Sequence, residues 1–178
     1  MASLQVLLAG VLGATLLVPM GASAQTNRVA EARLKEKNIV LPAETASLGN
    51  YVNAVQTGNL LYVSGTIAGA NWSPKGKLGK EVTPEQGYQA ARQAGINSLA
   101  RVRGAIGSLD RVKRVVKVVG MVNSAEDFSD QPKVVNGVSD LLVEVFGESV
   151  GRHARSAVGM AGLPGNSPVE VELILEVD

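Results

Sequence analysis

An arginine beside a serine on a short apolar segment is the feature of this 178-residue chain with the clearest chemistry. Arg155 and Ser156 stand near the C-terminus, and the next apolar segment carries acids at alternate positions, Glu170, Glu172 and Glu176. A guanidinium keeps its proton and can hold a small carboxylate through two parallel hydrogen bonds. A carboxylate on a neighbouring strand can then handle a proton or a water. The pattern therefore predicts a binding site for a small carboxylate.

The same residues also allow a purely structural interpretation. Arg155 paired with Glu170 or Glu172 would be an interstrand ion pair, which contributes little on an exposed strand. The three acids share one face of a strand of period two, so a solvated face is the prediction for Glu172 and Glu176. His153 has no partner in the sequence pattern and is predicted to be structural or exposed.

Composition excludes several classes of site. The chain has no Cys and a single His, which rules out disulfides, thiolate catalysis and multi-histidine metal sites. We therefore expect no metal. A net charge of +1 and 3% aromatic residues argue against a nucleic-acid partner. The basic cluster is predicted to be a solvated helix end and strand edge; it comprises Arg101, Arg103, Arg111, Lys113, Arg114 and Lys117.

The N-terminus differs from the rest of the chain. Residues 4–20 are almost wholly apolar and carry no charge, and Ala22-Ser23-Ala24 follows as a small-residue cleavage pattern. This order predicts a signal peptide over 1–24, cleaved after Ala24, so we expect a periplasmic or secreted protein without a stable membrane anchor. The alternatives are an uncleaved anchor and a start codon assigned upstream of the true one. We expect an extension over 25–47 and the main domain over 48–178.

The remaining chain alternates strand and helix patterns. A hairpin is predicted around 50–55 and 60–65, and Thr83-Pro84-Glu85-Gln86 predicts a helix start that leads to an end near Gly107. A β-branched run over 112–123 predicts a long strand. A second helix over 129–146 and strands around 156–159 and 169–177 complete the order ββαβαββ. This order predicts an α+β fold with a mixed or antiparallel sheet and both helices on one face.

Four segments resemble the Rid/YjgF family of reactive-intermediate (enamine/imine) deaminases. They are the hairpin 48–65, the strand 111–117, the region of Phe128 and Asn136, and the C-terminal Ala154-Arg155-Ser156…Leu163-Pro164…Glu170. Two positions depart from the deaminase branch, with Thr66 in place of its Gln and Ala157 in place of its Cys. The resemblance implies a chorismate-mutase-like fold and a homotrimer whose pockets lie at subunit interfaces.

The resemblance also implies roles for individual residues. Arg155 would hold the substrate carboxylate, and Glu170 would position or activate water for hydrolysis of a 2-imino or 2-enamino acid. No cofactor is implied, because an imine is already electrophilic. The substrate-binding set would further contain Tyr51, Ser64, Gly65, Asn136 and Ala157.

Each of these positions also has a purely structural interpretation. Tyr51 is also typical of a packing residue, Asn136 of a helix surface and Ser64 of a turn. The alternative functions are a non-catalytic trimer that binds small carboxylates, a chaperone-like module and, less favoured, a ribonuclease.

Overall fold

The computed structural model describes residues 29–47 and 49–178. Its helices and strands, in chain order, are α1 Ala30–Glu36, β1 Ala54–Thr57, β2 Leu60–Ile67, α2 Pro84–Ile106, β3 Val112–Asn123, α3 Gln131–Phe146, α4 Glu148–Gly151, β4 Ala154–Met160 and β5 Val169–Val177. Apart from the short helices α1 and α4, this is the predicted order ββαβαββ, and the α+β fold is confirmed. The predicted signal peptide lies outside the described residues.

The five strands form one mixed sheet in the order β1-β2-β5-β3-β4. All neighbours are antiparallel except β3 and β4, which are parallel and are connected through α3 and α4. A parallel pair requires such a crossover because its two strands run in the same direction. The crossover leaves β4 at the edge of the sheet, directly beside α3, and β4 carries Arg155.

Helix α2 begins and ends where its local sequence predicts. The Thr83 hydroxyl accepts a hydrogen bond from the Gln86 amide at 3.3 Å, and the Gln86 side chain accepts one from the Thr83 amide at 2.9 Å. Pro84 occupies the first turn, where its missing N–H leaves no partner unsatisfied. Gly107 closes the helix at a φ of 83°, a conformation that favours glycine.

The two long helices pack against one face of the sheet, here called the helix-covered face. On β5 the odd positions from Val169 to Val177 are buried, whereas Glu170, Glu172 and Glu176 alternate on the opposite, open face. A Cβ added to Gly137 of α3 would lie 2.0 Å from the Tyr88 carbonyl oxygen of α2, so glycine lets the two backbones approach closely. This packing gives each face of the sheet a distinct environment.

The segment before β1 packs against the rest of the chain. Ala30 and Leu34 of α1 are buried in the common core. The Glu31 carboxylate accepts a hydrogen bond from the Leu109 amide at 3.0 Å and lies 3.5 Å from Arg103. Over residues 29–47 the predicted extension therefore contributes apolar burial to the core. None of the helices within 29–47 and 49–178 combines the length and hydropathy of a membrane span.

Candidate active site

Arg155 lies on the helix-covered face of the edge strand β4. Its partner on β3 is Val118, which is fully buried, and paired residues of neighbouring strands point to the same side. The Arg155 Nη1 donates to Asn136 Oδ1 at 2.7 Å and to Ser139 Oγ at 3.0 Å, both on α3. Within 29–47 and 49–178 no carboxylate oxygen lies within 4 Å of this guanidinium, so the interstrand ion pair with Glu170 or Glu172 does not form there.

The guanidinium opens onto a cavity of about 410 Å³ between α3, α4 and β4. The residues around it are Ser139, Asp140, Val143, Glu148, Arg152, His153 and Arg155. A guanidinium has five N–H donors, and neutral oxygens occupy only some of them here. Arg155 is therefore held in place by α3 while it keeps donors available for an anion in the cavity.

His153 and Ser139 are two residues of this cavity that sequence reasoning missed. The His153 Nε2 lies 3.1 Å from Ser139 Oγ, and its Nδ1 lies 2.6 Å from the Gly151 carbonyl oxygen. Burial and the positive charge of Arg155 lower the pKa of His153, against the opposing effect of the Gly151 carbonyl. One signal was available in the sequence, because His153 stands two residues before Arg155 and such positions share a side of an extended chain.

Glu170 occupies a different environment, on the open face of β5. Its strand partners are Ile67 of β2 and Met121 of β3. A Cβ added to Gly65 would lie 2.0 Å from Glu170 Oε1, so the carboxylate lies directly over Gly65 and requires a residue without a side chain there. Burial and the negative charge of Glu172 raise the pKa of Glu170, and Arg101 opposes this shift. A raised pKa suits a carboxylate that accepts a proton near neutral pH.

Arg101 of α2 fixes the backbone beneath Glu170. The register of β2 against β5 shifts between Val63 and Thr66, which marks a β-bulge at Ser64 and Gly65. The Arg101 Nη1 donates to the Gly65 carbonyl oxygen at 3.0 Å and to Thr66 Oγ1 at 2.9 Å. Thr66 itself is buried, so this departure from the family pattern has a structural role in the bulge.

The site residues that we have described form two groups, one around Arg155 and one around Glu170. The other predicted site residues belong to one of these groups, except Tyr51. Ser64 adjoins Gly65, and its hydroxyl donates to the Val52 carbonyl oxygen at 2.7 Å. Asn136 holds Arg155, and Ala157 lies two positions beyond it, opposite Gly120 on β3. Tyr51 is 49% exposed and lines neither the cavity at Arg155 nor the smaller one on the open face beside Ser64.

The sheet keeps the two groups apart within one chain. Arg155 pairs with Val118 of β3, and Glu170 pairs with Met121 of the same strand. Val118 and Met121 are three residues apart, and successive side chains of a strand point to opposite faces. The burial of β3 follows this alternation over 117–122. Arg155 and Glu170 of one chain therefore cannot contact the same small ligand.

Comparison with known proteins identifies the family. The profile of the family described as "YjgF/chorismate_mutase-like, putative endoribonuclease" matches residues 31–177. The chain belongs to the YjgF/Rid family. It is 44% identical over 155 residues to protein TCP17 of Trypanosoma cruzi, covering 86% of this chain and 96% of that protein. It is 33% identical over 140 residues to a 2-iminobutanoate/2-iminopropanoate deaminase of Dermatophagoides farinae, covering 79% of this chain and 95% of that protein.

A solved structure agrees with this assignment to the YjgF/Rid family. The protein Atu1372 of Agrobacterium tumefaciens, whose function is described as unknown, superposes with a TM-score of 0.76 and 42% identity. The match covers 86% of this chain and 94% of that one. The fold and family expected from the sequence are confirmed. Because the relatives carry different functional names, the activity has to be argued from the site itself.

Proposed function

We propose that the protein hydrolyses 2-imino or 2-enamino acids to 2-keto acids and ammonia. The observation that carries the proposal is Arg155, a guanidinium held by the neutral oxygens of Asn136 and Ser139 at the edge of a cavity of about 410 Å³. Such a guanidinium suits a small carboxylate, because forming that contact breaks no existing ion pair. The similarity to a 2-iminobutanoate/2-iminopropanoate deaminase supports the same substrate class.

The proposed reaction needs an anchor, a base and water. Arg155 holds the substrate carboxylate, while backbone groups near Gly65 and Ala157 orient the imine. Glu170 accepts a proton from a water as the water oxygen attacks the carbon of the protonated imine, which leaves a carbinolamine with a C–N single bond. Glu170 then returns this proton to the nitrogen, the C–N bond breaks as the keto carbonyl forms, and the departing ammonia takes the hydroxyl proton. The imine carbon is already electrophilic, so the acceleration asked of these side chains is modest by enzymatic standards.

We further propose that the complete site forms between copies of the chain. Arg155 and Glu170 lie on opposite faces of the sheet, so one ligand can reach both only if two copies contribute one each. The open face also carries apolar side chains that are exposed in the single chain, among them Val55, Tyr62 and Val158. A homotrimer, as the family resemblance implies, would cover this face and bring the two groups together.

The contacts of the basic cluster do not favour the ribonuclease alternative. Arg111 and Lys113 lie 3.2 and 2.8 Å from the Asp178 carboxylate, and Arg101 is committed to the β-bulge in β2. Cations with such partners present less charge to a phosphate backbone than unpaired ones do. A non-catalytic carboxylate-binding protein is the stronger second candidate, because it would use Arg155 without Glu170.

The test is hydrolysis of imino acids that an amino-acid oxidase generates in situ, with semicarbazide trapping what remains. We expect the protein to accelerate imine loss. Arg155→Ala should lower kcat/KM by about 10²-fold, since a charge-assisted pair of hydrogen bonds contributes about 3 kcal/mol. Glu170→Gln should lower kcat by a similar factor and leave carboxylate binding in place. The proposal would be wrong if the wild-type protein did not accelerate the loss of any imino acid tested.

The Glu170→Gln variant needs a folding control. The raised pKa of Glu170 means that the folded state binds its proton more tightly than the unfolded state does. The stability from this group is then present at low pH and is lost as pH rises through the folded pKa. Glu170→Gln should therefore melt no earlier than wild type at pH 7.5. Full turnover by this variant would remove Glu170 from the mechanism.

A further inference from the structure

The hydrogen bonds around His153 have one consistent arrangement of protons. The Gly151 carbonyl oxygen only accepts, so the Nδ1 of His153, at 2.6 Å, carries the hydrogen of the neutral ring. The Nε2 must then accept, and the Ser139 hydroxyl, at 3.1 Å, donates to it. That leaves the lone pairs of Ser139 Oγ for the Nη1 of Arg155 at 3.0 Å. Arg155, Ser139 and His153 thus form a relay in which each donor faces one acceptor.

Protonation of His153 would change what this relay offers to a ligand. Both ring nitrogens would then donate, so Ser139 Oγ would accept from His153 as well as from Arg155. The hydroxyl hydrogen of Ser139 would be released toward the cavity, and a positive charge would be added beside Arg155. Both changes favour an anion in the cavity that these three residues line.

We propose that His153 and Ser139 complete the anion site of Arg155, and that binding of a small carboxylate there is coupled to proton uptake by His153. The inference rests on the proposed function for the class of ligand, a 2-keto or 2-imino acid. It extends that function by two residues and by a pH dependence of binding.

The other charged groups around the cavity do not provide this coupling. Asp140 of α3 accepts a hydrogen bond from the Tyr88 hydroxyl at 2.9 Å, and Glu148 of α4 pairs with Arg152. The charges of Asp140, Glu148, Arg152 and Arg155 sum to zero. Burial and the positive charge of Arg155 lower the pKa of His153, and an anion on Arg155 would offset the second of these two causes.

Thermodynamic linkage fixes the direction in which pH changes the affinity for the carboxylate. If the carboxylate raises the pKa of His153, then protonation of His153 tightens carboxylate binding by the same factor. Affinity should therefore rise as pH falls through the pKa that His153 has in the complex, by up to about tenfold for each pH unit over which a proton is taken up. Well above that pKa the ring is neutral with or without ligand, and affinity should be independent of pH.

The sequence makes the experiment unusually direct, because His153 is the single histidine of the chain. Its Cε1 proton gives one histidine signal in an NMR titration of the whole protein. With saturating 2-oxobutanoate we expect that signal to titrate at higher pH than without ligand. Arg155→Ala should abolish the ligand effect. Arg152→Gln, a change of charge in the neighbouring residue at the same cavity, should preserve it.

Two binding variants test the relay separately. His153→Asn should remove the pH dependence of 2-oxobutanoate affinity between pH 7.5 and 5.5, as measured by calorimetry. Ser139→Ala should weaken binding about tenfold and raise KM with little change in kcat, because it removes one hydrogen bond of the anion site. A Ser139→Ala variant with lowered kcat and normal KM would contradict a binding role.

The outcomes separate this inference from the proposed function. If wild type hydrolyses imino acids but the His153 signal titrates at the same pH with and without 2-oxobutanoate, the coupling is overturned and the deaminase stands. If the signal shifts but no imino acid is hydrolysed, the anion site stands in a non-catalytic binding protein. An equal loss of the shift in Arg152→Gln and Arg155→Ala would overturn a specific site in favour of the general field of the cavity.

Discussion

Three acids on one strand face have three different environments. Glu170 is half-buried over Gly65, Glu172 is exposed beside it, and Glu176 accepts a hydrogen bond from Asn59 at 3.2 Å. Burial and Glu172 raise the pKa of Glu170. If ionised Glu170 is the base, kcat should fall on the acid side at a pH above the ordinary glutamate range. Glu172→Gln should move this acid limb to lower pH, because it removes the neighbouring negative charge.

The matched control for this prediction is Glu176→Gln, which removes the same charge from the same face of β5. Glu176 is not among the groups that shift the pKa of Glu170, so the acid limb of kcat should stay where it is in wild type. A pH profile that is unchanged in Glu172→Gln, or one that moves equally in both variants, would exclude Glu170 as the group that titrates.

The family resemblance, added to the residue types, placed Arg155 and Asn136 together but did not predict their surroundings. Arg155 and Asn136 were expected at the site and the structure joins them by a 2.7 Å hydrogen bond. Ser139 was missed because its contact with His153 spans the crossover from α3 to β4, and no local pattern encodes that contact. His153 was missed although it stands two residues before Arg155 in the sequence. The sequence also did not predict the face of the sheet on which Arg155 lies, because that face depends on the register of β4 against β3.

At the scale of elements, the β-bulge in β2 decides where the Glu170 carboxylate lies. Gly65→Ala should displace this carboxylate, because the new Cβ would lie 2.0 Å from Oε1. The clash is with the end of a flexible side chain, so we expect a small loss of stability and a loss of kcat of about 10²-fold. Turnover and thermal melting of the same preparations measure both. Gly162→Ala is the matched control, because nothing lies within 4 Å of its Cβ.

The elements themselves were predicted well where their signals are local. The capping residues of α2 and the β-branched run of β3 gave bounds that match the structure, Pro84–Ile106 and Val112–Asn123. Elements that depend on pairing were predicted less closely. Strand β4 extends over Ala154–Met160 rather than 156–159, because β3 offers seven consecutive partners. The first strand lies at Ala54–Thr57 rather than 50–55, because its antiparallel partners on β2 are Leu60 to Val63.

At the scale of the whole molecule, the two faces of the sheet have opposite properties. The helices bury one face, whereas the open face presents both exposed apolar side chains and the Glu170 carboxylate. Arg155 lies at the edge of the other face, beyond the reach of Glu170 in the same chain. A catalytic site that uses both residues therefore makes activity depend on assembly, whereas the relay of Arg155, Ser139 and His153 needs only one chain.

This difference predicts the behaviour of a variant that cannot assemble. Tyr62 is 43% exposed on the open face, so Tyr62→Asp should place a charge in the proposed interface without disturbing the core. We expect light scattering to give the mass of one chain for the variant and of three for wild type, and imine hydrolysis to be lost. Val40→Asp, at a site 83% exposed outside the sheet, should keep assembly and turnover. A monomeric Tyr62→Asp with full turnover would show that Arg155 and Glu170 need not meet, and the two-copy site would be wrong.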